Sequence, residues 1–114
     1  MPDSENKIFS LDVLAKKSQE LKSLGKKVVL SHGIFDLIHN GHISHLKQAL
    51  NEGDILIVTL VADDYVGLGP SLPMFSEKLR AETLAALECV NYVGVNHSPI
   101  ADNVIEAIQP YCFV

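Results

Sequence analysis

Residues 55–58 read Ile-Leu-Ile-Val, an apolar run with no polar residue alternating through it. Alternation marks a strand with one wet face. An unbroken run marks a strand buried on both, and sheets of such strands carry helices on each side. The rest of the chain supplies those helices. Ser10 stands where an N-cap would, and Leu11, Leu14, Ser18, Leu21 and Leu24 form one helical stripe that stops at Gly25. Residues 27–31 predict a strand, 32–40 a loop, and 41–51 a helix with Ile43, Leu46 and Leu50 inward, ended by Gly53. The apolar run falls in a strand over 54–60. Residues 67–73, Gly-Leu-Gly-Pro-Ser-Leu-Pro, are the one Gly/Pro-rich loop. Ser76 caps a helix to residue 88 whose packing positions read as Leu79, Thr83, Ala86 and Leu87. A strand over 92–95 follows. Ser98-Pro99 then reads as an N-cap with proline at the first helical position, opening a helix to 108, and a fourth strand covers 111–114.

Strands alternating with helices predict an α/β fold, a Rossmann-like open parallel sheet with helices on both faces. Ligands of such sheets bind at the carboxyl ends of the strands, where the strand order reverses. The loop after the first strand is therefore the place to look for chemistry. At 114 residues the chain fits one domain, 1–114, with 1–25 an N-terminal tail and helix. Its last strand stops at Val114, so the C-terminal part of the domain is expected to lie beyond this sequence.

Charge narrows the partners. The net charge is −5, and six of the nine basic residues lie in the first 27 positions. Residues 28–114 hold only Lys47, Lys78 and Arg80 against ten carboxylates, a net of −7. That balance excludes general nucleic-acid or anionic-membrane binding, which needs a basic footprint. No apolar stretch approaches the roughly 20 residues of a membrane span. The start, MPDSENK, lacks a basic flank followed by an apolar run, so no secretory leader is expected there. Cys89 and Cys112 sit in apolar runs and read as buried thiols of a reducing, cytoplasmic compartment.

Residues 31–42 read Ser-His-Gly-Ile-Phe-Asp-Leu-Ile-His-Asn-Gly-His. A glycine after a strand, Gly33, lets backbone approach a ligand closely. His39 and His42 straddle Asn40-Gly41 at a helix start, where free N–H groups and the helix dipole attract phosphate. Two imidazoles three residues apart there can both donate to phosphate oxygens and stabilise charge building at phosphorus. No CxxC spacing suggests zinc. His32 is expected to shape the loop, His45 to lie on the helix surface and His97 in a loop. Asp63-Asp64 reads as a solvated strand end, with a metal-ligand pair as the alternative.

The pattern Gly33-Ile34-Phe35-Asp36 followed by His39-Asn40-Gly41-His42 resembles that of the cytidylyltransferase-like nucleotidyltransferases. Phe75 to Glu82, Leu84 to Val90 and Asn91-Tyr92-Val93 resemble the nucleotidyltransferase domain of ADP-heptose synthases and of sugar-phosphate and glycerol-3-phosphate cytidylyltransferases. The likeness covers about residues 26–114. It implies transfer of a nucleotide from CTP or ATP to a sugar phosphate or polyol phosphate, with release of pyrophosphate, by in-line attack without a covalent enzyme intermediate. By the same resemblance His39 and His42 are the catalytic pair. Gly33, Ile34, Phe35 and Gly41 form the nucleotide's backbone cradle. Asp36 orients the loop or the substrate, Arg80 contacts phosphate, and Asp63 lies near the substrate or a subunit boundary. Mg²⁺ would accompany the nucleotide, and a homodimer is implied. A bland alternative for Arg80 is a surface ion pair with Glu77 or Glu82.

Two departures open a second function class. Where the family carries a lysine and an arginine for the phosphates, this chain has Leu68 and Leu72. The family's later Lys-Gly and Ser/Thr-rich nucleotide motif fall past Val114. A nucleotidyltransferase and a non-catalytic relative acting as a nucleotide-binding, regulatory or assembly domain therefore both remain, and the 114 residues alone are expected to turn over slowly or not at all.

Overall fold

The computed structural model describes residues 4–66 and 75–114; Leu68, Leu72 and the Gly/Pro-rich loop lie outside the described residues. Helix α1 is Leu11–Ser23, opened by Ser10, whose hydroxyl accepts from the Val13 N–H. Strand β1, Val28–Gly33, leads to α2, Asn40–Leu50, and then to β2, Ile55–Val61. Helix α3, Glu77–Ala85, precedes β3, Tyr92–Asn96, and helix α4, Asp102–Ile108, precedes β4, Cys112–Phe113.

All neighbouring strands pair in parallel, in the order β3-β2-β1-β4. The α/β architecture predicted by the apolar run is therefore the observed one. Each face of the sheet has its own core. Val29, Leu56, Val58, Leu60 and Val93 pack with Leu46 and Ala49 of α2 and Ala81, Leu84 and Ala85 of α3. Val28, Leu30 and Ile57 pack with Leu14 of α1 and Val104 and Ile108 of α4. Successive strand residues point to opposite faces, so the run Val28-Val29-Leu30 feeds both cores. Ser18, fully buried on α1, donates its hydroxyl to the Ile108 carbonyl at 2.7 Å and ties α1 to the end of α4.

The chain steps from β1 to β2 to β3 in one direction, then crosses back to place β4 on the far side of β1. The strand order reverses beside β1, so the start of α2 stands at the switch point, where ligands of such sheets bind. Before α1, residues 7–9 lie along the other margin. Ile8 bridges Val93, the Phe9 N–H donates to the Val93 carbonyl at 3.0 Å, and Lys7 Nζ reaches the carbonyls of Leu87 and Val90.

Three local readings need correction. On α3 the buried residues are Arg80, Ala81, Leu84 and Ala85, whereas Leu79 is 46% exposed and Thr83 and Ala86 face solvent. The inward face is offset by one position, because the helix turns a charged residue inward. Helix α3 also ends at Ala85, three residues early. Helix α4 starts at Asp102 with Ala101 as N-cap, not at Pro99. The Ser98 hydroxyl instead accepts from the Ile100 N–H, and buried Asn96 takes the Ile100 carbonyl, holding 97–100 as a turn.

Candidate functional site

Strand β1 carries Gly33 to its carboxyl end, level with Leu60 of β2. Just below, His32 Nδ1 lies 2.8 Å from the buried Thr59 hydroxyl. His32 is thus a strand residue joined to β2, and burial lowers its pKa, an effect partly offset by its hydrogen bond at Thr59. After Gly33 the backbone turns sharply. Phe35 has φ 53, a left-handed conformation that costs a bulky residue roughly 1–2 kcal/mol. Its ring folds back over Gly33, where an added Cβ would sit 3.0 Å from the ring. Gly33 is therefore required by the Phe35 ring, which is 9% exposed and 5.9 Å, centroid to centroid, from that of His42.

His39 is the N-cap of α2. Its Nδ1 accepts from the Gly41 N–H at 3.0 Å, while its own N–H donates to His42 Nδ1 at 3.3 Å. This is a reciprocal capping box built from two histidines in place of the usual hydroxyl and carboxylate. The arrangement fixes the tautomers. A ring nitrogen that accepts carries no proton, so in each neutral imidazole the proton sits on Nε2. Neither Nε2–H has an acceptor among the described residues, and the two rings lie 4.1 Å apart, centroid to centroid. The imidazoles thus pass the positive end of the helix outward: backbone N–H to Nδ1, then Nε2–H to whatever anion arrives.

Gly41 permits this. A Cβ there would lie 2.7 Å from His39 Cε1. In Gly41→Ala the His39 ring, being exposed, is expected to swing out of the cap. Stability should fall by only about 1 kcal/mol, the usual worth of an N-cap, while the His39 ring resonances move to those of an exposed histidine. Urea denaturation and proton NMR check both.

Burial, then the neighbouring His39 and His45, lower the His42 pKa below the ordinary imidazole value. His32 and His42 therefore bind protons more readily in the unfolded chain. The stability they confer is present above their unfolded pKa of about 6.5 and is lost as pH falls through the lower folded values. Urea midpoints are expected to drop between pH 7.5 and 5.5, and the drop should shrink in the His32→Gln, His42→Gln double variant.

The other predicted residues hold the turn. Asp36 Oδ1 accepts from the Phe75 N–H at 2.9 Å, so the carboxylate orients the loop. Arg80, expected to contact phosphate, is 1% exposed and bonded to three backbone carbonyls and to Asp63. Its acidic partner is Asp63 at 2.7 Å, not Glu77 or Glu82. Glu77 accepts the Asp63 N–H instead. Sequence reasoning missed Thr59, Glu77 and the Arg80–Asp63 pair, since nothing local distinguishes a buried arginine from an exposed one. A cavity of about 260 Å³ opens between the turn and α3, walled largely by Phe35, Leu37, Ile38, Phe75 and Leu79. Its mostly apolar lining is a poor match for a triphosphate.

The family model of the cytidylyltransferase-like proteins matches residues 30–114, from β1 to the last residue. The chain belongs to the cytidylyltransferase-like family. Among curated relatives, the bifunctional protein HldE of Citrifermentans bemidjiense is 44% identical over 110 residues, which are 95% of this chain and 23% of that protein. The bifunctional protein HldE of Geotalea uraniireducens is 40% identical over 115 residues, 99% of this chain and 24% of that protein. The chain spans about a quarter of the length of these curated relatives. A solved protein of similar structure is the lipopolysaccharide core biosynthesis protein from Thermoplasma volcanium GSS1. It has TM-score 0.72 and 27% identity, covering 78% of this chain and 73% of that one. In this cytidylyltransferase-like chain no described helix is long and apolar enough to cross a membrane.

Proposed function

We propose that this chain binds a nucleoside triphosphate at the start of α2 and takes part in nucleotidyl transfer to a phosphorylated sugar or polyol. The observation that carries the reading is the reciprocal His39–His42 cap, which leaves two Nε2–H donors side by side at the switch point of the sheet. In this reading an acceptor phosphate oxygen attacks the α-phosphorus in line. The new P–O bond forms as the bond to the leaving pyrophosphate breaks, and charge grows on the phosphate oxygens. His39 and His42 donate to those oxygens as preorganised groups, and Gly33, Ile34 and Phe35 supply the close backbone approach. The likeness to a lipopolysaccharide core biosynthesis protein supports a sugar acceptor. A homodimer and a cytoplasmic setting follow from the resemblance and belong to the same proposal.

Mg²⁺ needs a separate test against the residues present. Among the described residues no three His, Cys, Asp or Glu side chains are grouped to hold a metal ion. Asp36 is engaged by the Phe75 N–H and Asp63 by Arg80. These residues do not fit a protein-built Mg²⁺ cage. An ion arriving with the triphosphate would keep phosphate and water oxygens as its ligands.

A thermal-shift screen against CTP, ATP, UTP and GTP, followed by pyrophosphate release with sugar 1-phosphates, tests the reading. A nucleotide at 100 times its dissociation constant stabilises by about 2.7 kcal/mol, so one of the four should raise Tm by several degrees. Flat melting curves with all four would sink the proposal. The second reading, nucleotide binding without turnover, is favoured by the enclosure of Arg80, the cation expected at the phosphates. Binding with no pyrophosphate release from any acceptor would select it.

A further inference from the structure

Arg80 projects from α3 into the space beneath the phosphate turn, and its bonds show what it holds. Nε donates to the Phe75 carbonyl at 3.0 Å, Nη1 to the carbonyls of Ile34 at 2.8 Å and Val61 at 2.7 Å, and Nη2 to Asp63 Oδ1 at 2.7 Å. Those partners are the residue after β1, the last residue of β2, the turn beyond β2 and the approach to α3. One planar fork therefore joins the backbone at the carboxyl ends of the two central strands.

The Ile34 carbonyl has the most consequence. A trans peptide is planar, with C=O and the next N–H pointing in opposite directions. Drawing the Ile34 carbonyl onto Arg80 turns the Phe35 N–H away from the guanidinium. That N–H has no acceptor among the described residues. Phe35 is also one of two non-glycine residues with positive φ among the described residues, a conformation that persists only where the surroundings impose it. Arg80 on the Ile34 carbonyl before it, Gly33 beneath its ring and the Asp36–Phe75 bond after it impose it here.

Resting on the nucleotide-binding reading, we infer that Arg80 is a positioning residue: it aims the Phe35 amide, beside the His39–His42 pair, at the phosphate oxygens and does not itself touch the nucleotide. Lysine cannot stand in, because a point ammonium on a flexible stem lacks the planar fork that spans three carbonyls and a carboxylate. Asp63, 38% exposed by its side chain, is the outer lock of the same clamp.

NMR on the ¹⁵N-labelled 114-residue chain, with inorganic tripolyphosphate as probe, tests this. In the wild type the Phe35, Gly41 and His42 amides should shift on titration while the Arg80 Nε–H signal stays in place. Without ligand, Arg80→Lys and Asp63→Asn should each move the Phe35 amide. Arg80→Lys should also weaken tripolyphosphate at least tenfold although the charge is kept. Movement of Arg80 Nε–H together with Gly41 would overturn the inference while leaving the nucleotide-binding reading standing. So would wild-type affinity in Arg80→Lys. If tripolyphosphate moves none of these amides, the nucleotide-binding reading fails. The ligand-free arm then decides for Arg80: an unshifted Phe35 amide in Asp63→Asn, which removes a part-exposed partner and should fold even if Arg80→Lys does not, overturns the positioning role.

Discussion

His42→Ala is expected to reduce any transfer rate by about 10²–10³-fold, the usual cost of one preorganised donor to developing charge, and nucleotide affinity by about tenfold or more, the worth of a hydrogen bond to a charged group. The same change removes one half of the α2 cap, so stability should fall by about 1 kcal/mol. The two effects separate with His42→Glu. A glutamate three residues after an N-cap is the ordinary capping-box partner and suits the positive end of the helix. Its carboxylate can take over the His39 N–H while repelling phosphate. His42→Glu should therefore melt no lower than the wild type and bind no nucleotide. His39→Ala should resemble His42→Ala, and the double alanine variant should lose less than the sum, because the two rings lie in contact, 4.1 Å apart between centroids. Calorimetric titration with the four nucleotides and urea denaturation give both numbers. Undiminished affinity in His42→Ala would leave the cap as mere architecture.

Arg80→Met is expected to destabilise the chain by about 3–5 kcal/mol, the cost of removing one partner from a buried polar cluster. Methionine fills a similar volume, so little of the loss comes from packing. Three carbonyls, of Ile34, Val61 and Phe75, lose a charged donor, and Asp63 loses its cation. The Asp63 share is small, because that carboxylate can turn to water. The buried Val61 carbonyl cannot, those of Ile34 and Phe75 do so only in part, and leaving these acceptors unmet is the larger effect. Domains of this size are stable by about 5–15 kcal/mol in all, so the variant should lose a large part of its margin. Urea unfolding at neutral pH measures it. A loss below about 1 kcal/mol would mean that water satisfies the carbonyls and that Arg80 clamps nothing.

The contrast between these two residues shows what a sequence discloses. The meeting of His39 and His42 at the start of α2 was legible because it is local: both lie within four residues at one helix end. The strands were legible because an unbroken apolar run has few other uses. Arg80 was misplaced because its partners lie 5, 17, 19 and 46 positions away. No periodicity distinguishes such an arginine from one in water. That error moved the whole inward face of α3, since Leu79 and Thr83 look better buried than a charge does. The start of α4 failed for a related reason. Ser98-Pro99 is a sound helix opening, but Asn96, buried at the end of β3, claims the Ile100 carbonyl first. The histidine tautomers follow only from the hydrogen bonds and have no sequence signature.

The short stretch before α1 also governs how copies of this molecule treat one another. A sheet that ends in an uncovered strand offers a template for adhesion between molecules. At β3 that template is sealed by Ile8 and Phe9 on Val93, with the Phe9 ring set against Tyr92 and Lys17 lying 4.5 Å above it. Among the described residues the seal is light: the Phe9–Val93 backbone hydrogen bond, two bonds from Lys7 Nζ and one ring. Clipping the chain at Ser10 would strip Ile8 and Phe9 from the margins of the two cores and leave the histidine pair in place, yet it would turn a covered margin into an adhesive one. Any preparation that tends to clump should be checked for loss of its first nine residues before its fold is blamed.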